Sequence, residues 1–243
     1  MKRLIGSKFI SLVAVFAAVN VIFDSFVSAP LPFSGIWYSW IFIFEPVNGI
    51  VLGPLAGFFS SLIGVMIGHY VNFVDVYEFL FTLGVPIGAM ISALVFRGKW
   101  KIPLVFYGVL LAAFFATPVA WQLPPWGMWD TYLALACLLA AIIVMRKRKN
   151  LWNTKSKRNL VYVLAFSAFI GLEADVLFRI FIFVPCQTYQ LFYGYDVSIL
   201  QATWVLGAVE TPIKAALSAL VTTMIGLPLI IAARKMGVTS SEN

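Results

Sequence analysis

The 243-residue sequence contains one histidine and two cysteines. One histidine excludes the His-Glu-x-x-His helix of membrane metalloproteases, which needs two imidazoles one turn apart to hold zinc. Cys137 lies in an apolar run and Cys186 in a predicted outer loop, a separation in depth that argues against a disulfide or a shared metal. No Gly-x-x-x-x-Gly-Lys-Ser/Thr loop occurs, so this chain has no P-loop nucleotide site. Charge is scarce as well: 11% of residues are Asp, Glu, Lys or Arg, whereas 62% are hydrophobic. Apolar runs of membrane-crossing length recur, which predicts an all-α integral membrane protein rather than a soluble domain. Because hydrophobicity continues to within ten residues of the end, no cleaved signal is expected.

Windows of about 17 to 25 apolar residues predict eight spans, near 8–24, 36–53, 54–71, 77–96, 102–121, 127–145, 159–184 and 200–233. In "LGPLAG", Gly53 and Pro54 interrupt the helix and allow a tight reversal between spans two and three. In a soluble protein a net charge of +7 would suggest a nucleic-acid partner; in a membrane protein it sets topology instead. With both termini cytoplasmic, "MKR", "RGKWK", "RKRKNLWNTKSKR" and "ARK" all fall inside. Of 17 basic residues, only Arg179 and Lys214 are left off that side. Asp24, Asp75, Glu78, Asp130 and Asp196 fall at or near the outer face, with most of the tryptophans and tyrosines as interfacial anchors. The long basic loop reads as a solvated topology signal beside anionic lipid.

Ala14 and Ala18 in "AVFAA" stand four apart and share a small-residue face, with Ala17 widening it; such faces let helices approach closely in lipid. Together with "SAPLPFSGIW", "GIVLGPLAGFFSSLIGVMIG", "FLFTLGVPIGAMISALVF" and "ALSALVTTMIGLPLIIAARK", this resembles the substrate-binding S component of energy-coupling factor (ECF) transporters. The resemblance implies a six-helix core, from residues 1–98 and 159–237, with 99–158 as an inserted hairpin that preserves the orientation of the two final helices. It also implies docking of the Ala14 and Ala18 face on a transmembrane T subunit, ATP hydrolysis by separate cytoplasmic ATPases, and uptake of a vitamin-class small molecule across the plasma membrane. Family members that take nickel or cobalt use an N-terminal histidine, which "MKRLIG" lacks, so no metal and no cofactor are expected.

An ionised group at mid-membrane costs about 2.5–3.5 kcal/mol, so such groups are paired or functional. Asp175 with Arg179, and Glu210 with Lys214, are four apart with the acid first, the favourable order for a helical ion pair. At 1.5 Å per residue, Glu173 to Arg179, Glu210, Lys214, Glu45, Asn48, His69 and Asn72 all fall in the outer half of the bilayer. That asymmetry fits an outward-facing binding cavity better than a proton relay. The expected ligand-binding residues are Glu45, Glu173, Arg179, Glu210 and Lys214, with Trp37 and Asn48 as lesser members. Acid outnumbers base among them, which favours a cationic or donor-rich ligand. Asp175 is expected to neutralise Arg179, leaving Glu173 as the better ligand contact on another face of the helix. His69 reads as a rim or packing residue.

Three rivals remain at this level. Membrane enzymes lack a matching motif, and the protein is not expected to be one. A retinal-binding protein would use Lys214 and Glu210 as Schiff base and counterion, but it has an odd helix count. A stand-alone secondary transporter should show internal repeats, and none is convincing.

Overall fold

A computed structural model describes residues 7–25, 39–72, 76–147, 152 and 156–235, apart from the side chains of Lys8, Asn72 and Arg234. Among these residues the fold is helical throughout. The helices are α1 (Ser7–Ser25), α2 (Ile41–Leu52), α3 (Pro54–Asn72), α4 (Glu78–Thr82), α5 (Gly84–Phe96), α6 (Lys101–Ala116), α7 (Trp129–Lys147), α8 (Lys157–Phe183), α9 (Thr188–Leu191) and α10 (Val197–Lys235). Five helical stretches are long and apolar enough to cross a membrane: Pro54–Val71, Glu78–Phe96, Pro125–Lys147, Lys157–Phe183 and Val197–Ala233. The other three predicted windows hold shorter apolar helices, α1, α2 and α6.

Proline chemistry explains where helices end short of the predicted windows. Pro86 has no N–H, and its ring displaces the carbonyl four residues earlier, so the 77–96 window divides at Leu83 into α4 and α5. The residue before a proline is pushed out of the α region. Thr117 therefore sits at ψ 121°, ending α6 at Ala116, and a 3-10 turn, Pro118–Gln122, comes next. The second predicted window begins at 36, but residues 36–38 lie outside the described part.

The α2–α3 reversal rests on Gly53, whose φ of 101° suits glycine because no Cβ meets the backbone. Pro54 then opens α3, where the missing N–H costs nothing. The Arg97 guanidinium, from the end of α5, lies against Gly53.

At the centre, α5 packs on α2, α3 and α8, and α10 packs on α2 and α8. Small residues set the spacing, since lipid gives helices no hydrophobic drive to associate and contact must come from close packing. A Cβ on Gly49 would stand 1.7 Å from the Ala89 carbonyl oxygen, and one on Gly171 would stand 1.7 Å from Ser92 Oγ. The segment 99–158 is tied into this core. Tyr107 of α6 donates to the Ile170 carbonyl at 2.7 Å, and Thr131 of α7 donates to Glu173 at 3.2 Å. Ala14 and Ala18 are exposed, whereas Ala17 turns toward α3 and lies half-buried beside Gly64. Ala17 therefore belongs to the packed side of α1 and does not widen the Ala14 and Ala18 face.

Candidate functional site

The α8 helix is long enough to carry its acidic stretch into the bundle, and its helical twist sends neighbouring carboxylates to different neighbours. Asp175 pairs with Arg179 through two hydrogen bonds, Nε to Oδ1 at 2.6 Å and Nη2 to Oδ2 at 3.3 Å. Glu173 faces α7 instead and accepts the Thr131 hydroxyl. On α10, Lys214 Nζ stands 3.8 Å from Glu210 Oε1, an ion pair longer than a hydrogen bond.

Both pairs border one cavity of about 150 Å³. Its wall comes from the first turns of α2 (Ile41, Phe42) and of α7 (Asp130), from Phe81 and Val85 around the α4–α5 break, from the last third of α8, and from the first half of α10. Phe81, Phe183 and Trp204 supply aromatic surface. Trp204 is fixed by three contacts: its indole N–H donates to the Pro124 carbonyl at 2.9 Å, its ring stacks on Phe114 with centroids 5.4 Å apart, and Gly127 leaves room for it. Asp130 accepts the Thr131 backbone N–H at 2.9 Å and the Thr211 hydroxyl. A concave, mostly apolar site with a few converging charged groups is the usual form of a small-molecule pocket.

Of the residues singled out from sequence, Arg179, Glu210 and Lys214 border this cavity. Glu45 and Glu173 lie behind the wall, each with 0% exposure. Glu45 rests in a notch at Gly88 on α5, where a Cβ would stand 1.8 Å from its Oε1. Asp175 occupies the matching notch one turn earlier at Gly84. Asn48 is not brought to the cavity: its amide donates to Ser61 Oγ and, at 3.4 Å, to the Gly57 carbonyl, clamping α2 to α3. Trp37 and the loop around it lie outside the described residues.

Sequence reasoning treated Asp130 as an acid of the outer face and Asp175 as a neutralising partner, and it passed over Thr211 and Trp204. The usable signal for Asp130 was Gly127 one turn ahead of it in "PPWGMWD". The glycine admits Trp204 beside that carboxylate's helix.

His69 sits apart from the cavity, in a chain joining three helices. Its Nδ1 lies 2.6 Å from Asp24 Oδ2 on α1, and its Nε2 lies 2.6 Å from Thr82 Oγ1 on α4. Asp196 precedes α10 and accepts the Ile199 N–H at 2.8 Å and the Ser198 hydroxyl at 2.7 Å. These bonds hold its carboxyl below the usual range. Burial pushes the Cys186 thiol up, so it is a poor nucleophile at neutral pH.

No family model matches the chain, and no solved structure matches it. It is similar to an uncharacterized protein of Methanocaldococcus jannaschii, with 28% identity over 149 residues that make up 59% of this chain and 49% of that protein. The chain therefore spans about half the length of that curated relative.

Proposed function

We propose that the protein is the substrate-binding membrane subunit of an ATP-driven, energy-coupling factor type uptake system, and that it captures a small molecule of the vitamin or vitamin-precursor class. The observation that carries this reading is the cavity where the Asp175–Arg179 and Glu210–Lys214 pairs meet beneath aromatic walls. Two opposed ion pairs can each open toward a polar ligand and close when it leaves. In this reading the bundle has eight spans with both termini in the cytoplasm of a plasma-membrane protein. Support comes from the placement of charge. Arg97, Lys99, Lys101, Arg146, Lys147, Lys157 and Arg158 sit at the α5–α6 and α7–α8 junctions. The cavity is built toward the opposite ends of those helices, where α7 begins at Trp129 with Asp130 and α8 ends at Phe183. That distribution follows the positive-inside rule.

The reading also assigns the exposed Ala14 and Ala18 face of α1 to docking on a T subunit, through which cytoplasmic ATPases would act. Small residues there permit close helix approach. Coexpression with T and ATPase subunits tests it. The wild-type chain should copurify with them, and Ala14→Trp should abolish both copurification and transport while leaving ligand binding intact. Ligand binding lost together with docking would mean that the face packs internally instead. Uptake in cells lacking every such ATPase would favour a stand-alone carrier.

A further inference from the structure

The ionisable groups that border the cavity do not balance. Asp130, Asp175 and Glu210 line the cavity with Arg179 and Lys214, and Glu45 and Glu173 stand fully buried just behind, the latter accepting the Thr131 hydroxyl. Arg179 is matched to Asp175 by two hydrogen bonds. Asp130 has neutral donors alone, a backbone N–H and the Thr211 hydroxyl, and no base pairs with it among the described residues. Glu210 is 5% exposed, and its Oε1 accepts no hydrogen bond among them, with Lys214 Nζ at 3.8 Å. A buried carboxylate left in this condition is costly, and a cation entering the cavity relieves it.

We infer that the cavity takes an organic cation with an aromatic or apolar body, its positive head at the carboxylates of Asp130 and Glu210 and its body against Trp204 and Phe183. This rests on the proposed binding function and names the ligand class. Both acids line the cavity, and Thr211, the residue after Glu210 on α10, holds Asp130 by its hydroxyl, which ties the α10 turn that carries Glu210 to the start of α7. The indole of Trp204, stacked on Phe114, gives the aromatic body a ring to pack against. Its N–H is already committed to the Pro124 carbonyl, which leaves the ring to act as a surface. Asp130 and Gly127 come from the 99–158 segment. That segment therefore has a direct role: it delivers the unmatched charge.

Calorimetric titration of the full chain in a nonionic detergent tests this with three probes of similar size: benzyltrimethylammonium, benzyl alcohol and phenylacetate. The cation should bind, and the neutral and anionic probes should bind at least tenfold more weakly. Asp130→Asn and Glu210→Gln should each weaken the cation by about ten- to a hundredfold, the span expected for loss of one charged partner. Asp196→Asn, which removes an exposed acid away from the cavity wall, should leave it unchanged. If phenylacetate or benzyl alcohol binds as well as the cation, the ligand class is wrong although a binding function stands. If none of the probes binds, the ligand class is overturned, and retention of a small molecule from a metabolite extract by the wild-type chain decides the binding function separately. Cation binding untouched by both cavity variants overturns the placement. Should a variant fold poorly, the comparison of the three probes on the wild-type chain still decides the charge preference.

Discussion

Replacing Gly88 by alanine tests whether α5 must touch α8 and seat Glu45 as closely as described. A methyl there would stand 1.8 Å from Glu45 Oε1 and 2.8 Å from the Gly171 carbonyl oxygen, whereas ordinary contact begins near 3.4 Å. The glutamate can swing away, but the Gly171 carbonyl belongs to the α8 backbone, so the two helices must separate by several tenths of an ångström. Overpacking of this kind costs about 1–3 kcal/mol, and the separation also loosens the Gly171–Ser92 contact one turn further on. Gly108→Ala on α6 is the control, because no atom lies within 4 Å of the added methyl and alanine is the better helix former by about 1 kcal/mol. Reversible unfolding in mixed micelles should therefore show Gly88→Ala destabilised and Gly108→Ala unchanged or slightly stabilised. The double change Glu45→Ala with Gly88→Ala should recover only part of the loss, since the carbonyl contact persists. If Gly88→Ala unfolds together with Gly108→Ala, the close α5–α8 crossing is refuted.

Three further outcomes are expected. Asn48→Leu removes the bonds from α2 to Ser61 and Gly57 and should lower stability by about 0.6–2 kcal/mol with ligand affinity unchanged; a large loss of affinity would place Asn48 at the ligand. Because the Asp196 carboxyl is held below its ordinary range, its cap on α10 is fully formed above the unfolded-state value near 3.9 and is lost as pH falls through the lower folded-state value. Hydrogen exchange at the Ile199 amide should accordingly speed up in Asp196→Ala at neutral pH, and equal exchange in both chains would exclude the cap. Tyr107→Phe deletes the bond to the Ile170 carbonyl and should destabilise the protein by about 0.6 kcal/mol, with 1.7 as an upper bound; no change in unfolding would detach α6 from the core.

Helix-forming apolar stretches were legible because membrane-crossing segments must be long, continuous and hydrophobic. The Gly53–Pro54 reversal was legible because each residue has a local effect on the backbone. The division at Leu83 was carried by Pro86, yet a hydropathy window averages over a single proline. At the candidate site, spacing alone revealed the pairs at 175 and 179 and at 210 and 214, since residues four apart on a helix are neighbours in any context. Separating Glu173 from Asp175 by helical angle was likewise possible. No local rule supplied the choice of which of the two faces the cavity, because that depends on where α7 and α10 pack. The same dependence hid Asp130, which looks like an interfacial acid until Thr211 is brought to it across 81 residues of sequence. Asn48 illustrates the converse: its depth suggested a ligand contact, but its side-chain N–H groups are committed between α2 and α3.

The central claim, that the cavity between α2, α5, α7, α8 and α10 holds a small molecule, is tested most directly by native mass spectrometry of the chain released gently from its own membranes. The account predicts a discrete mass excess on the wild-type protein, from one retained small molecule, and its loss in the folded double variant Asp175→Asn with Glu210→Gln. A mass excess that persists in that variant, or a wild-type chain of bare polypeptide mass that also retains nothing from a metabolite extract, would contradict it.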